Sequence, residues 1–205
     1  MSQDENQLKA AAAESAAAQV TDGMIIGLGS GSTAALAVSA LGRRVREGLR
    51  IVGIPTSEST AAQARALGIP LTSLADESQI DMTIDGADEV EEGSLNLIKG
   101  LGGALLREKI VASASKRLVI VIHDSKLVSR LAVGGPVPVE VVPFGWLATA
   151  RRLEDLGAKP SLRRDAKGET FVSDGGHYIL EEAGDEIIPR IQGFLSRHPI
   201  LREVG

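Results

Sequence analysis

The feature that most constrains this chain is a repeating order of short apolar runs, glycine- or hydroxyl-rich turns, and stretches with helical spacing. The first copy is Met24–Leu28, then the turn GLGSGST at 27–33, then a helical stretch from Ser32 to Val45 with Leu36, Ala40 and Leu41 on one side. The second is Arg50–Ile54, stopped by Pro55, then a helix from Ser57 to Leu67 and a short strand from Ile69 to Leu74. Two further strands, Asp81–Ile84 and Leu118–Ile122, flank a glycine-rich turn and a helix from Ala104 to Ser115. A helix from Asp4, its expected N-cap, to Val20 precedes all of them. Alternating β and α segments bury their apolar sides together in an α/β fold: an open, mostly parallel, Rossmann-like sheet with helices on both faces, expected over residues 1–130.

After about Leu131 the texture changes. A strand at Val137–Val142, a helix at Gly145–Leu156, short strands at Ala158–Leu162, Glu169–Ser173 and Tyr178–Leu180, and a last helix at Asp185–Arg197 predict a second, smaller α+β lobe over 131–205.

Composition removes several functions. The 22 basic and 27 acidic residues give a net charge of −5, which argues against a broad footprint for nucleic acid or an anionic membrane. Aromatic residues make up 2%, too few to build a base-stacking platform. No cysteine is present, so thiolate zinc sites and cysteine nucleophiles are excluded, and a reducing compartment, the cytoplasm, is the expected location. No apolar run is long enough to span a membrane, and the N-terminus MSQDENQLK is acidic where a signal peptide would be basic.

The chemistry-bearing residues collect at the ends of the apolar runs, where open α/β sheets bind ligands. The 27–33 loop offers backbone N–H groups at a helix start and the hydroxyls of Ser30, Ser32 and Thr33, which suits a phosphate. It lacks the lysine of a Walker loop, and Ser32 breaks the dinucleotide fingerprint. A tight turn with an N-cap would look the same. The segment 55–60 (PTSEST) repeats the pattern, with a Ser-capped helix start and Glu58 as capping partner as the simpler reading. Asp85-Gly86-Ala87-Asp88-Glu89 sets three carboxylates after an apolar strand, for proton transfer, a divalent metal or an Asx turn. The histidines 123, 177 and 198 are scattered and follow no ligand spacing, so the metal reading lacks a second convergent ligand cluster. Lys99-Gly100-Leu101-Gly102-Gly103, followed by a helix carrying Glu108, pairs an oxyanion stabiliser with a base that burial can tune. Asp124-Ser125-Lys126 adds a cation after the last strand of the first lobe.

Together GLGSGSTA, GIPTSE, DGADEV, KGLGGALLREKI and DSK resemble the type A ribose-5-phosphate isomerase family, in register from about Asp4 to Val142 and more loosely beyond. The resemblance implies interconversion of D-ribose 5-phosphate and D-ribulose 5-phosphate, in the non-oxidative pentose phosphate pathway, through an enediolate and without metal or organic cofactor. It implies a phosphate held by Ser30, Gly31, Ser32 and Thr33 with Lys9 and Lys126. Sugar hydroxyls would be met by Asp85, Gly86, Ala87, Asp88, Lys99, Gly100, Leu101 and Gly102. The catalytic residues would be Glu108 as base, Asp85 in ring opening and Lys99 near the reacting oxygens. It further implies a homodimer or homotetramer acting on a small phosphorylated sugar.

Leu101 stands where that family usually has glycine, and His123 where a small residue is usual. Its members also continue past the segment matching 200–205 with a further strand, so the second lobe is expected to be shorter here. The rivals are a non-catalytic sugar-phosphate-binding or regulatory domain of the same fold, and an amino-sugar phosphate deaminase or coenzyme A transferase. The joint presence of Asp85, Asp88, Lys99 and Glu108 favours the isomerase.

Overall fold

The structure, a computed structural model, describes residues 3–182. The described chain separates into two units, one formed by residues 3–88 and 99–127, the other by 89–98 and 128–182. Two contiguous lobes, 1–130 and 131–205, were the sequence expectation; the chain instead lends the excursion 89–98 to the second unit.

The first unit begins with α1 (Gln3–Ala18) and continues β1 (Ile25–Leu28), α2 (Ser32–Arg46), β2 (Val52–Pro55), α3 (Glu58–Ala66) and β3 (Met82–Asp85). After the excursion come α4 (Leu105–Ser113) and a strand at Leu118–Ile120. Counting the excursion's strands β4 (Glu89–Glu91) and β5 (Leu97–Ile98), that strand is β6. The sheet order is β2-β1-β3-β6 with every pairing parallel. The chain leaves β1 for β2 on one side and then crosses to β3 on the other, so the order reverses between β1 and β3. Ligand crevices open at the carboxyl ends of strands flanking such a switch.

Alternation along the strands sorts the helices. Ile26 and Leu28 of β1 and Met82 and Ile84 of β3 pack in one core with Ala13, Ala17, Ala37, Val38 and Leu41 of α1 and α2. Each large apolar side chain sealed there contributes about 1.5–3 kcal/mol. On the other face Ile25 and Ile54 meet Val111 and Ala114. Thr83 bonds the Ser115 hydroxyl at 2.6 Å, which pins the end of α4 to that face. Because side chains two apart on a strand share a face, Asp85 points to the α4 side with Thr83.

The expected strand at 69–74 is reduced to one parallel bridge, Gly53 to Leu71. Pro70 has no N–H to continue the ladder and only its carbonyl takes part, accepting from Gly53 N at 2.8 Å.

In the second unit β8 (Val137–Val141), β9 (Ser161–Leu162) and β10 (Tyr178–Glu182) form an antiparallel sheet in the order β8-β10-β9. The helix α5 (Trp146–Asp155) packs Trp146, Ala150 and Leu153 on Val139, Val141 and Leu180. A small sheet β5-β4-β7, with β7 at Leu127–Val128, is absent from the sequence expectation. The expected strand at 169–173 is an irregular return around Asp165, whose carboxylate accepts from Lys167 N at 2.8 Å and Glu169 N at 2.9 Å, leaving a single bridge from Arg164 to Thr170. The expected helix at 185–197 lies outside the described residues.

Candidate active site

The carboxyl ends of β1 and β3 carry the two segments that meet first. Gly29 N donates to Ile84 O at 2.9 Å, so β1 and β3 stay paired to their last residues. Asp85 is fully buried at the end of β3. Its Oδ1 accepts from Ser30 N at 3.2 Å and Gly86 N at 2.7 Å. Glycine at 29 is required for this approach, since a Cβ there would stand 2.3 Å from Asp85 Oδ1 and 2.5 Å from Asp85 Cα.

Lys99, returning from the excursion, places its ammonium over the same carboxylate. Nζ donates to Gly86 O at 2.5 Å and forms ion pairs with Asp85 Oδ2 at 2.9 Å and Glu108 Oε1 at 3.3 Å. The ammonium thus donates one hydrogen bond to a backbone carbonyl and sits between two carboxylates as their shared counter-charge. Glu108 lies on the first turns of α4, one helical turn before Val111, and the two residues face inward together. The spacing that buries Val111 against the sheet therefore also buries Glu108, at 5% exposure. Its Oε2 is buried with no hydrogen-bond partner among the described residues.

Burial and the neighbouring Asp85 charge push the Glu108 carboxyl up to about 7, against the opposing pull of Lys99. Asp85 is raised too, chiefly by burial, with Lys99 and the two backbone N–H groups pulling the other way. A carboxyl near neutrality is what a general base working at physiological pH needs.

Around this triangle the loop 99–103 is fixed by Asp88, whose Oδ2 accepts from Leu101 N at 2.9 Å. Ala87 and Asp88 are half-buried, Gly100 is buried, and Leu101 and Gly102 are exposed. The Leu101 side chain points outward at 41% exposure, so it does not narrow the Lys99 loop.

The anion end of the site is the start of α2. Its N-cap is Gly31, at φ 93°, a left-handed conformation that favours glycine, and no side chain caps the helix. Ser32, exposed, and Thr33, half-buried, occupy the first turn, where free N–H groups and the helix dipole favour an anion. Ser30 differs from them, because its Oγ lies 2.7 Å from Thr56 Oγ1, 2.8 Å from Ser57 Oγ and 3.2 Å from Thr60 Oγ1. Lys9 is buried on α1. Lys126 is half-buried in the 3-10 turn Asp124–Lys126, on the same sheet edge beyond β6.

Thus the structure joins Asp85, Gly86, Lys99, Glu108 and Ser30 in one contact network, ties Asp88 to Leu101, and brings Gly31, Ser32, Thr33 and Lys126 to the same edge. Two expectations change. Glu89 is not a third carboxylate of the site; it belongs to the second unit, where it accepts from Ala132 N at 2.6 Å and Gly134 N at 2.5 Å. Glu58 does not occupy the capping-box position of α3, which is three residues past the N-cap Ser57 and is held by Thr60; Glu58 pairs with Arg107 at 2.9 Å. The hydroxyls of Thr56, Ser57 and Thr60, which the sequence offers either as a second ligand-facing strand end or as a capped helix start, serve both the α3 cap and the β1 turn. Their signal was the repetition of the Ser/Thr-rich pattern at two neighbouring strand ends.

A family model described as Ribose 5-phosphate isomerase A (phosphoriboisomerase A) matches residues 52–197. The chain belongs to that family. It is 64% identical over 174 residues to the ribose-5-phosphate isomerase A of Gloeobacter violaceus, covering 85% of this chain and 75% of that protein. The solved ribose 5-phosphate isomerase A of Methanocaldococcus jannaschii superposes with a TM-score of 0.85 at 41% identity, covering 88% of this chain and 81% of the other. A D-ribose-5-phosphate isomerase solved in complex with phospho-erythronic acid superposes at 0.83 with 38% identity, covering 87% and 79%. The α/β architecture with a mostly parallel sheet is that of these enzymes.

Proposed function

We propose that this chain interconverts D-ribose 5-phosphate and D-ribulose 5-phosphate, with Glu108 moving the proton. The observation that carries the assignment of roles is the buried Glu108 carboxyl, raised to about 7, with one oxygen on Lys99 and the other unpartnered. The phospho-erythronic acid held by a related isomerase supports a phosphorylated sugar as the ligand.

The chemistry follows from the contacts. Asp85 assists opening of the furanose ring by proton exchange with the ring oxygen and O1. Glu108, ionised, removes the proton from C2 of the open aldose; the electron pair forms the C1–C2 double bond of a cis-enediolate and negative charge moves onto O1. A proton passes from O2 to O1, and Glu108 returns its own proton to C1, leaving the ketone at C2 and a hydroxyl at C1. Lys99 supplies charge compensation: as Glu108 is neutralised by the proton, the ammonium field 3.3 Å away becomes available to the developing oxyanion. A positioned base of this kind contributes roughly 10²–10⁴-fold. The uncapped start of α2, with Ser32 and Thr33, supports a phosphate cradle, to which Lys9 and Lys126 are assigned by the resemblance to the family, and binding of that non-reacting group holds C1 and C2 against the base.

The test is a coupled assay of ribose 5-phosphate conversion by the purified chain with EDTA present. Turnover is expected. No turnover, with ribose 5-phosphate still raising the melting temperature, would instead establish a binding domain. A cytoplasmic location accords with the absence of cysteine, and among the described residues no helix is long and apolar enough to cross a membrane. A homodimer or homotetramer is supported by the exposed Val142, Phe144 and Leu147 on the second unit, and light scattering at working concentration tests it.

A further inference from the structure

The hydroxyl cluster beneath the β1 turn does more than cap a helix. Ser57 is the N-cap of α3 and its Oγ accepts from Thr60 N at 3.1 Å, which satisfies the cap by itself. The remaining bonds run elsewhere. Ser30 Oγ donates to Ser57 Oγ at 2.8 Å, Ser57 Oγ donates to Thr60 Oγ1 at 2.9 Å, and Thr60 Oγ1 donates to Gly29 O at 3.0 Å. Thr56 Oγ1 donates to Leu28 O at 3.0 Å and lies 2.7 Å from Ser30 Oγ. Each hydroxyl has one proton: those of Thr56 and Thr60 end on two carbonyls of the β1 turn, that of Ser57 goes to Thr60, and that of Ser30 goes to Ser57 Oγ or to Thr56 Oγ1. Thr56, Ser57 and Thr60 are all buried, where linked hydroxyls strengthen one another.

The turn fixed in this way carries the Ser30 N–H that reaches Asp85 Oδ1 at 3.2 Å. From there the line continues through Asp85 Oδ2 to Lys99 Nζ and on to Glu108 Oε1. A continuous set of contacts therefore runs from the start of α3 to the base, hydrogen bonds as far as Asp85 and ion pairs from Asp85 through Lys99 to Glu108.

We propose that Ser57 and Thr60 are positioning residues for the isomerisation, acting through the Ser30 hydroxyl to hold the β1 turn on Asp85. On this account Ser30 does not ligate the phosphate with its side chain. Its hydroxyl proton and its N–H are both used inside the protein, and the phosphate falls to Ser32, Thr33 and the free N–H groups of α2. The inference rests on the isomerase reading given above.

The experiment compares Thr60→Val, which keeps the branched shape and removes the hydroxyl, with Thr60→Ser, which restores it, and with Ser30→Ala, which leaves the α3 cap intact. The readouts are kcat and KM for ribose 5-phosphate and the inhibition constant of inorganic phosphate. The expected result is a fall of about tenfold in kcat for Thr60→Val and Ser30→Ala, with KM and phosphate inhibition changed less than about threefold. Thr60→Ser returns kcat to near the wild-type value, and the double variant is no worse than either single one, because both cut the same chain. Wild-type kcat in Ser30→Ala, with phosphate inhibition weakened instead, would overturn the proposal and make Ser30 a phosphate ligand. If Thr60→Val does not fold, Ser30→Ala alone decides on the same two criteria. Absence of turnover in the wild-type chain would defeat the isomerase reading itself and this inference with it, an outcome distinct from an active wild type with unaffected variants.

Discussion

Replacing Glu108 by glutamine should make the protein more stable while removing its base, and the gain should depend on pH. In the folded chain the Glu108 carboxyl is raised from 4.5 to about 7, mainly by burial and then by Asp85. The folded state therefore binds this proton more tightly than the unfolded state does. The resulting stabilisation is complete below about pH 4.5 and is lost as pH rises through about 7. At 1.36 kcal/mol per tenfold change in proton affinity, the ionised carboxylate destabilises the fold by about 3 kcal/mol at pH 8.5 and by under about 1 kcal/mol at pH 5. Glutamine mimics the protonated form and keeps an oxygen for Lys99, so it should recover that difference. Urea unfolding of both proteins at pH 5 and 8.5 measures it: Glu108→Gln should be more stable by about 3 kcal/mol at the higher pH, and nearly equal at the lower. In a domain of this size that is roughly 6–12 °C in Tm. A glutamine variant less stable than wild type at pH 8.5, or a difference that ignores pH, would refute the reasoning, because it would mean that Lys99 outweighs desolvation.

Two other perturbations probe the same triangle. Lys99→Met leaves Asp85 Oδ2 and Glu108 Oε1 without the cation between them, so the acid limb of the kcat/KM profile should move above its wild-type position near pH 7 and kcat should fall by about 10²-fold or more; an unmoved limb would remove Lys99 from the electrostatics of the base. Gly29→Ala drives a Cβ into the Asp85 carboxylate, and overpacking of about 1–3 kcal/mol should lower the melting temperature together with activity; a wild-type melt and turnover would show that the β1 and β3 ends are less tightly packed than these contacts require.

The first unit was legible because period-2 and period-3.6 patterns alternate cleanly there and because strand ends in such a sheet converge whatever the sequence between them. That is why Asp85, Lys99 and Glu108 could be named from three separate segments. The contacts that turn them into a site were not legible: the 2.9 and 3.3 Å pairs of Lys99 depend on the length of the excursion 89–98, whose strands of two and three residues leave no periodic signal. Glu89 shows the same limit. Sequence adjacency grouped it with Asp85 and Asp88, but the chain changes units between 88 and 89, and its carboxylate serves backbone N–H groups at 132 and 134. Pro70 was a readable obstacle to the strand at 69–74, outweighed by its apolar neighbours. Ser30 shares the strand-to-helix loop with Ser32 and Thr33 in the sequence, and only the distances to Thr56, Ser57 and Thr60 distinguish it from them.

The central claim is that Glu108 moves the proton, and the most direct measurement is steady-state turnover of ribose 5-phosphate by Glu108→Gln beside the wild type. In Glu108→Gln kcat should be lower by roughly 10²–10⁴-fold, with KM changed only a few-fold because the phosphate contacts remain. Turnover within a few-fold of wild type would contradict it and require another residue as the base.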